Sequence, residues 1–218
     1  MAAQHRKIPT HEVTYARIRD MILFGELAPG QPVTIQGLIK DLDAGMTPVR
    51  EAIRRLEAEG ALMPQGNRRV AVPRLDLALL DQIAFARMTI EPRLAELAAA
   101  NLAEDSIAEL EALDSAVNEA ITTGDIHAYL QNNHAFHFRL YEASAAPVLV
   151  DIARSLWLRF GPSLRVVART GTGGLPDRHE EALGAMRRGA AADLSRAIAS
   201  DIAQGIDQVK AALARGEI

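Results

Sequence analysis

Apolar residues recur at three- and four-residue spacing along most of this chain, the period of an amphipathic helix. In HEVTYARIRDMILFG (residues 11–25), Tyr15, Ile18 and Ile22 share one face, and Gly25 and the Pro29-Gly30 pair end the pattern. The next pattern opens at Thr34, a good helix N-cap, and spaces Ile35, Leu38, Ile39 and Leu42 for burial. After DAGM, TPVREAIRRLEAEG predicts a third helix with Thr47 as N-cap, Pro48 at the first helical position and Gly60 as C-cap; Val49, Ile53 and Leu56 would face inward. The period then shortens. Apolar pieces at 61–63 and 70–72 flank QGNRR, which reads as a small hairpin with Gly66 in the turn and Arg68 and Arg69 near its tip.

Beyond the linker VPRLD no strand pattern recurs. Helical periodicity predicts helices at about 76–101, 105–123, 125–143, 147–169, 177–189 and 191–215, interrupted by TGTGGLP at 170–176. The expected fold is therefore mainly α: an N-terminal winged helix-turn-helix domain over 8–73, with an ordinary basic loop as the alternative to the wing, then an all-α helical bundle over 76–215.

Charge sharpens that division. The net charge is -4, yet residues 1–74 hold 11 Lys and Arg against 8 Asp and Glu, so the acidity lies in the remainder. A mildly basic head before an acidic body suggests that only the head meets phosphate. The chain has no cysteine, which removes disulfides, thiolate metal sites and cysteine nucleophiles. No apolar run approaches the roughly 18 residues of a membrane span, and MAAQHRKIPT lacks the apolar stretch of a signal peptide, so a cytoplasmic protein without a membrane partner is expected.

Two sets of residues carry candidate chemistry. On the third helix Arg50 and Arg54 stand one turn apart near the N-terminal end, where a reading helix contacts DNA; the alternative is that Glu51–Arg55 and its neighbours form a solvated, ion-paired surface. In the body, polar residues fall on inward faces. Asn133 and His137 lie in the stripe of Tyr129, Leu130, Phe136, Leu140 and Tyr141; His179 is in phase with Leu183 and Met186, Asp201 with Leu194 and Ile198, and Arg87 and Glu91 with Leu80 and Leu94. Buried unpaired, each would cost several kcal/mol, so they should converge on one another, on a metal or on a ligand. Histidine with carboxylate suits a divalent first-row cation, while a satisfied core histidine is the plainer alternative. His127 and His134 point away from the stripe, and His5 and His11 lie in or near the N-terminal tail.

YARIRDMILFGELAPGQPV, TPVREAIRRLEAEGAL and QGNRRVAV together resemble the winged-helix domain of the GntR family of bacterial transcription regulators. That resemblance implies that Thr47, Arg50 and Arg54 meet bases or phosphates of an operator, with Gly66 at the wing tip. Met46 departs from the basic residue common at its position. RMTIEPRLAELAAAN, NHAFHFRLYEASAAPVL and RHEEALGAMRRGAAADLSRAIASDI are similar to the FCD effector domain of the FadR subfamily. Many members bind a metal through one Asp and three His, positions matched here by Asn133, His137, His179 and Asp201. Two of the four differ, but losing the carboxylate at Asn133 is compensated by gaining one at Asp201.

The resemblance implies a divalent metal (zinc, nickel, manganese and iron are not distinguished) or, as the competing reading, a metal-free polar pocket. A small carboxylate effector would sit there, clamped by Arg87 of the Arg87–Glu91 pair, with Arg159 and Arg165 as further candidates. The expected protein is thus a homodimeric, ligand-responsive repressor that binds double-stranded operator DNA and is not an enzyme. A metal-dependent hydrolase joined to a DNA-binding head, or an architectural DNA-binding dimer without an effector, are the alternatives. Turnover of small acids would reveal the first, and absence of any effector response the second.

Overall fold

The computed structural model describes residues 10–67, 69–165 and 176–217. Arg68, His5 and most of the glycine-rich interruption at 170–176 lie outside the described residues. The chain forms two compact units, Met1–Arg74 and Leu75–Ile218.

In the first unit, α1 (Thr10–Leu23), α2 (Ile35–Leu42) and α3 (Met46–Ala58) surround Ile18, Ile22, Leu38, Val49, Ile53 and Leu56, all buried. Thr34 caps α2, its hydroxyl accepting from the Gly37 N–H at 2.9 Å. Helix α3 starts two residues earlier than its sequence suggests. Gly45 is the N-cap, in extended conformation and without a side-chain bond, so Thr47 is the second residue of the helix and its side chain is exposed. The far end follows the glycine rule: Gly60 adopts φ 73°, and the Gly60 and Ala61 N–H groups reach back to the Glu57 and Leu56 carbonyls.

The hairpin forms from β2 (Met63–Pro64) and β3 (Arg69–Ala71), antiparallel with Met63 opposite Ala71. Gly66 and Asn67 both take positive φ in the turn, 68° and 44°. A third strand, β1 (Val33–Thr34), pairs on the other edge of β3. Its two residues are too short a stretch for alternation to reveal, and only the partner strand makes it one.

The second unit is all helical among the described residues: α4 (Leu77–Ala98), α5 (Glu104–Thr123), α6 (Ile126–Glu142), α7 (Pro147–Phe160), α8 (Arg178–Arg187) and α9 (Ala191–Ala214). Helix α9 lies against α4 and α8, α5 against α6 and α8, and α7 against α4. Asp76, Asp125 and Asp177 cap α4, α6 and α8 through their carboxylates. The helix expected at 147–169 is interrupted, and its residues 166–169 lie outside the described residues. It ends at Phe160 and tightens into a 3-10 turn over Gly161–Leu164, where Pro162 lacks the N–H that would continue the α ladder. Leu80, Leu94, Leu110, Phe136, Leu140 and Leu194 are fully buried at the centre.

Removing the α2 cap with Thr34→Ala should cost about 1 kcal/mol, read as a lower urea midpoint for the first unit.

Candidate effector site and DNA-reading face

At the heart of the second unit sits Glu91, a fully buried carboxylate on α4. Arg87, one turn earlier and 3% exposed, meets it in a fork, Nε to Oε1 at 2.5 Å and Nη2 to Oε2 at 3.0 Å. The Tyr141 hydroxyl of α6 donates to Oε2 at 2.7 Å and the Trp157 indole N–H of α7 at 3.0 Å. The Arg87 guanidinium lies over the rings of Trp157 and Phe160, at 4.6 and 4.5 Å from their centroids. Arg87 borders the cavity described below while its Nε and Nη2 are engaged by Glu91. A charge this deep needs its counter-charge.

The network continues to His137. Tyr141 gives its proton to Glu91, so its oxygen accepts from His137 Nδ1 at 3.1 Å. That places a proton on Nδ1 and turns His137 Nε2 to Asp201 Oδ2 at 3.2 Å. His179, in the first turn of α8, is oriented in the same way: its Nδ1 meets Asp114 Oδ1 of α5 at 3.1 Å, its ring stacks on Phe136 at 4.0 Å, and its Nε2 lies 4.0 Å from Asp201 Oδ1. His137, His179 and Asp201 offer one ligand atom each, all within 4.8 Å of one another. Asn133, also buried, borders the same cavity.

The electrostatics follow from this crowding. Burial pushes the His137 pKa below its usual value despite the contact with Asp201. Burial likewise opposes a charge on His179, but the hydrogen bond to Asp114 and the Asp201 carboxylate outweigh it and raise its pKa. Desolvation would raise the Asp201 carboxyl, yet His137 and His179 hold it down to about 2. Two imidazole nitrogens and a carboxylate aimed at one point are held together by a proton or a cation shared between them. This donor set fits a divalent metal of the first row, with the outer ring nitrogens held by Tyr141 and Asp114.

Sequence reasoning passed over Asp114, Tyr141 and Trp157. Asp114 was legible in principle, being a polar residue in phase with Leu110 and Val117 on α5. Tyr141 and Trp157 look like ordinary core aromatics until their polar atoms are located. The cavity beside the cluster, about 80 Å³, is bordered by residues of α4 to α9. His134 turns instead to an aromatic group, its ring 4.4 Å from that of Phe138.

In the first unit, Thr47, Arg50, Arg54, Gly66 and Arg69 are exposed. Arg50, Arg54, Gly66 and Arg69 border one hollow between α3 and the hairpin. Neither Arg50 nor Arg54 forms an ion pair among the described residues, while Arg55 is bonded to Glu59 at 3.1 Å and lies 3.4 Å from Glu12.

Two family models match: bacterial regulatory proteins of the gntR family over residues 10–72, and the FCD domain over residues 82–204. The chain belongs to the GntR family. It is a regulatory protein with an FCD domain, and the hydrolase alternative is set aside. The HTH-type transcriptional regulator McbR of Escherichia coli K12 is 31% identical over 147 residues, 67% of this chain and 66% of McbR. An uncharacterized HTH-type transcriptional regulator of Bacillus subtilis, YdhC, is 27% identical over 60% of this chain and 58% of its own length. The solved structure of E. coli McbR/YncC superposes with a TM-score of 0.86 at 26% identity, covering 93% of this chain and 98% of that one. A putative GntR regulator from Rhodococcus sp. RHA1 shares the fold, with a TM-score of 0.75 at 21% identity over 93% and 98% of the two chains.

Within this GntR-family protein, Arg87→Met and Glu91→Leu should each cost about 3 to 5 kcal/mol in chemical denaturation, since each strands the other's charge. The double variant should lose clearly less than the sum of the two.

Proposed function

We propose that this GntR-family regulator binds operator DNA through α3 and the wing, and that a small organic acid held at His137, His179 and Asp201 sets its affinity for that DNA. The observation that carries the effector reading is the convergence of three Lewis-basic groups, two of them oriented from behind, on a cavity that shape alone does not require. A pure dimerisation module would fill these positions with Leu or Ile. A divalent cation such as zinc, nickel, manganese or iron supplies, when bound, positive charge and an open coordination position for a carboxylate. Asn133 would add an amide oxygen at the edge of that set.

The protein's own residues do the rest. Tyr141 and Asp114 hold the two imidazoles, and the Arg87–Glu91 pair fixes α4 against α6 and α7. A ligand at this joint changes operator affinity by its differential affinity for two arrangements of the helices. Large apolar side chains left exposed on α4 and α7, Phe85 at 76% and Val148 at 71%, support a homodimer, which would also double the DNA contacts. No described helix is long and apolar enough to cross a membrane, consistent with a cytoplasmic protein working on DNA.

For DNA, Arg50→Ala should weaken specific operator binding by about 1 to 3 kcal/mol, whereas Arg69→Ala should weaken all sequences alike and reduce the salt slope by about 1. Gel-shift titrations at several salt concentrations test both, and unaltered operator affinity of the Arg50 variant would remove α3 as the reading helix. For the site, a chelator should lower the melting temperature and added zinc, nickel or manganese restore it. His137→Ala and His179→Ala should abolish the chelator effect. A melting temperature indifferent to chelator and to all three metals, with no stoichiometric metal in elemental analysis, leaves the metal-free pocket.

A further inference from the structure

Beside the three converging bases, two further polar side chains of α6 border the cavity, Tyr129 and Asn133. They are 8% and 7% exposed, and neither side chain makes a hydrogen bond among the described residues. The one buried side-chain nitrogen or oxygen without a partner among those residues is Arg178 Nε, so the Tyr129 hydroxyl and the Asn133 amide, equally unpartnered, keep open space at their polar ends. For side chains more than nine-tenths buried, that space is the cavity. A phenylalanine at 129 would fill the same volume with no polar atom to satisfy. A hydroxyl kept there is explained by what it bonds.

The wall sets the charge of that partner. Asp114, Asp177 and Asp201 all border the cavity, while Arg87 is engaged by Glu91 and Arg178 by Glu181. A second anionic group on the ligand would meet carboxylates, whereas a neutral hydroxyl bonds to Tyr129 without that repulsion. Position along α6 sets where the hydroxyl lies. Tyr129, Asn133 and His137 follow one another at four-residue steps on one face, which puts the Tyr129 backbone two helical turns, about 12 Å of rise, from that of His137. The ligand hydroxyl therefore belongs at the end remote from the carboxylate. At about 10 to 15 Å³ per water-sized position, a cavity of about 80 Å³ admits a chain of about four carbons.

We propose that Tyr129 is a specificity-determining residue of this site, selecting a short acid that carries a hydroxyl at the end remote from its carboxylate. The carboxylate sits at the His137, His179 and Asp201 cluster, and the ligand hydroxyl bonds to the Tyr129 hydroxyl. This rests on the acid-effector reading above and adds which acids are chosen and by what.

The test compares 4-hydroxybutyrate, butyrate and succinate, which share a four-carbon chain and differ only at the end remote from one carboxylate. Thermal-shift titrations of the full chain in the presence of zinc give the midpoints, and the fluorescence of Trp157, the only tryptophan and itself at the cavity, gives them independently. 4-Hydroxybutyrate should act at a midpoint about three- to tenfold below that of butyrate, the worth of one neutral hydrogen bond, and below that of succinate. Tyr129→Phe, which removes one oxygen, should raise the 4-hydroxybutyrate midpoint to that of butyrate. The butyrate midpoint and the zinc-dependent rise in melting temperature should stay unchanged in that variant, and circular dichroism confirms that it folds. Equal midpoints for 4-hydroxybutyrate and butyrate in the wild type, a tighter response to succinate, a hydroxyl preference that survives Tyr129→Phe, or an equal loss of both ligands in that variant each overturns the role of Tyr129 and leaves the acid-effector reading standing. A protein that responds to none of these acids overturns both.

Discussion

The helical unit is organised around one buried carboxylate. Glu91 has no access to water, so it is retained only because three donors from three helices reach it: Arg87 from its own helix α4, Tyr141 from α6 and Trp157 from α7. Removing any one leaves a charge or a dipole stranded in a medium that cannot screen it. Those bonds are directional, so they fix the relative rotation of the three helices more tightly than apolar packing would. A leucine at position 91 would fill space but would not hold Tyr141 with its oxygen turned toward His137.

The candidate effector site inherits its geometry from that constraint. Tyr141 orients His137, Asp114 orients His179, and Asp201 on α9 closes the set. Helices α4 to α9 therefore meet at one polar joint, and a small change in what occupies it is felt by all of them. Such a joint suits regulation. A ligand that satisfies the three converging bases stabilises one arrangement of the helices over another, and the difference is the free energy available for coupling to DNA.

The DNA-reading unit works on a simpler principle. Its core is small and apolar, and the arginines of α3 and the hairpin stand outside it without ion-pair partners among the described residues at Arg50 and Arg54. Leaving them unpaired costs little stability because they are hydrated, and keeps their full charge for phosphate and base edges.

Periodicity, caps and turn glycines were enough to read the helices of both units, the hairpin and the inward aim of Asn133, His137, His179, Asp201, Arg87 and Glu91, because a helix repeats every 3.6 residues whatever surrounds it. The start of α3 lies two residues before the expected one, since an extended Gly45 can begin a helix as well as a threonine. Strand β1 and the end of α7 were also missed, because the first depends on a partner far along the chain and the second on how a proline is accommodated. The meaning of the inward polar residues was decided only by tertiary structure. Sequence phase says that a side chain faces the core, but not which polar atom waits there. Arg87 both borders the cavity and is bound to Glu91, while Asp114, Tyr141 and Trp157 acquire their roles from helices packed across the cavity. Direction along a helix is local and is written in the sequence; partnership between helices is a three-dimensional distance, and only the folded chain sets it.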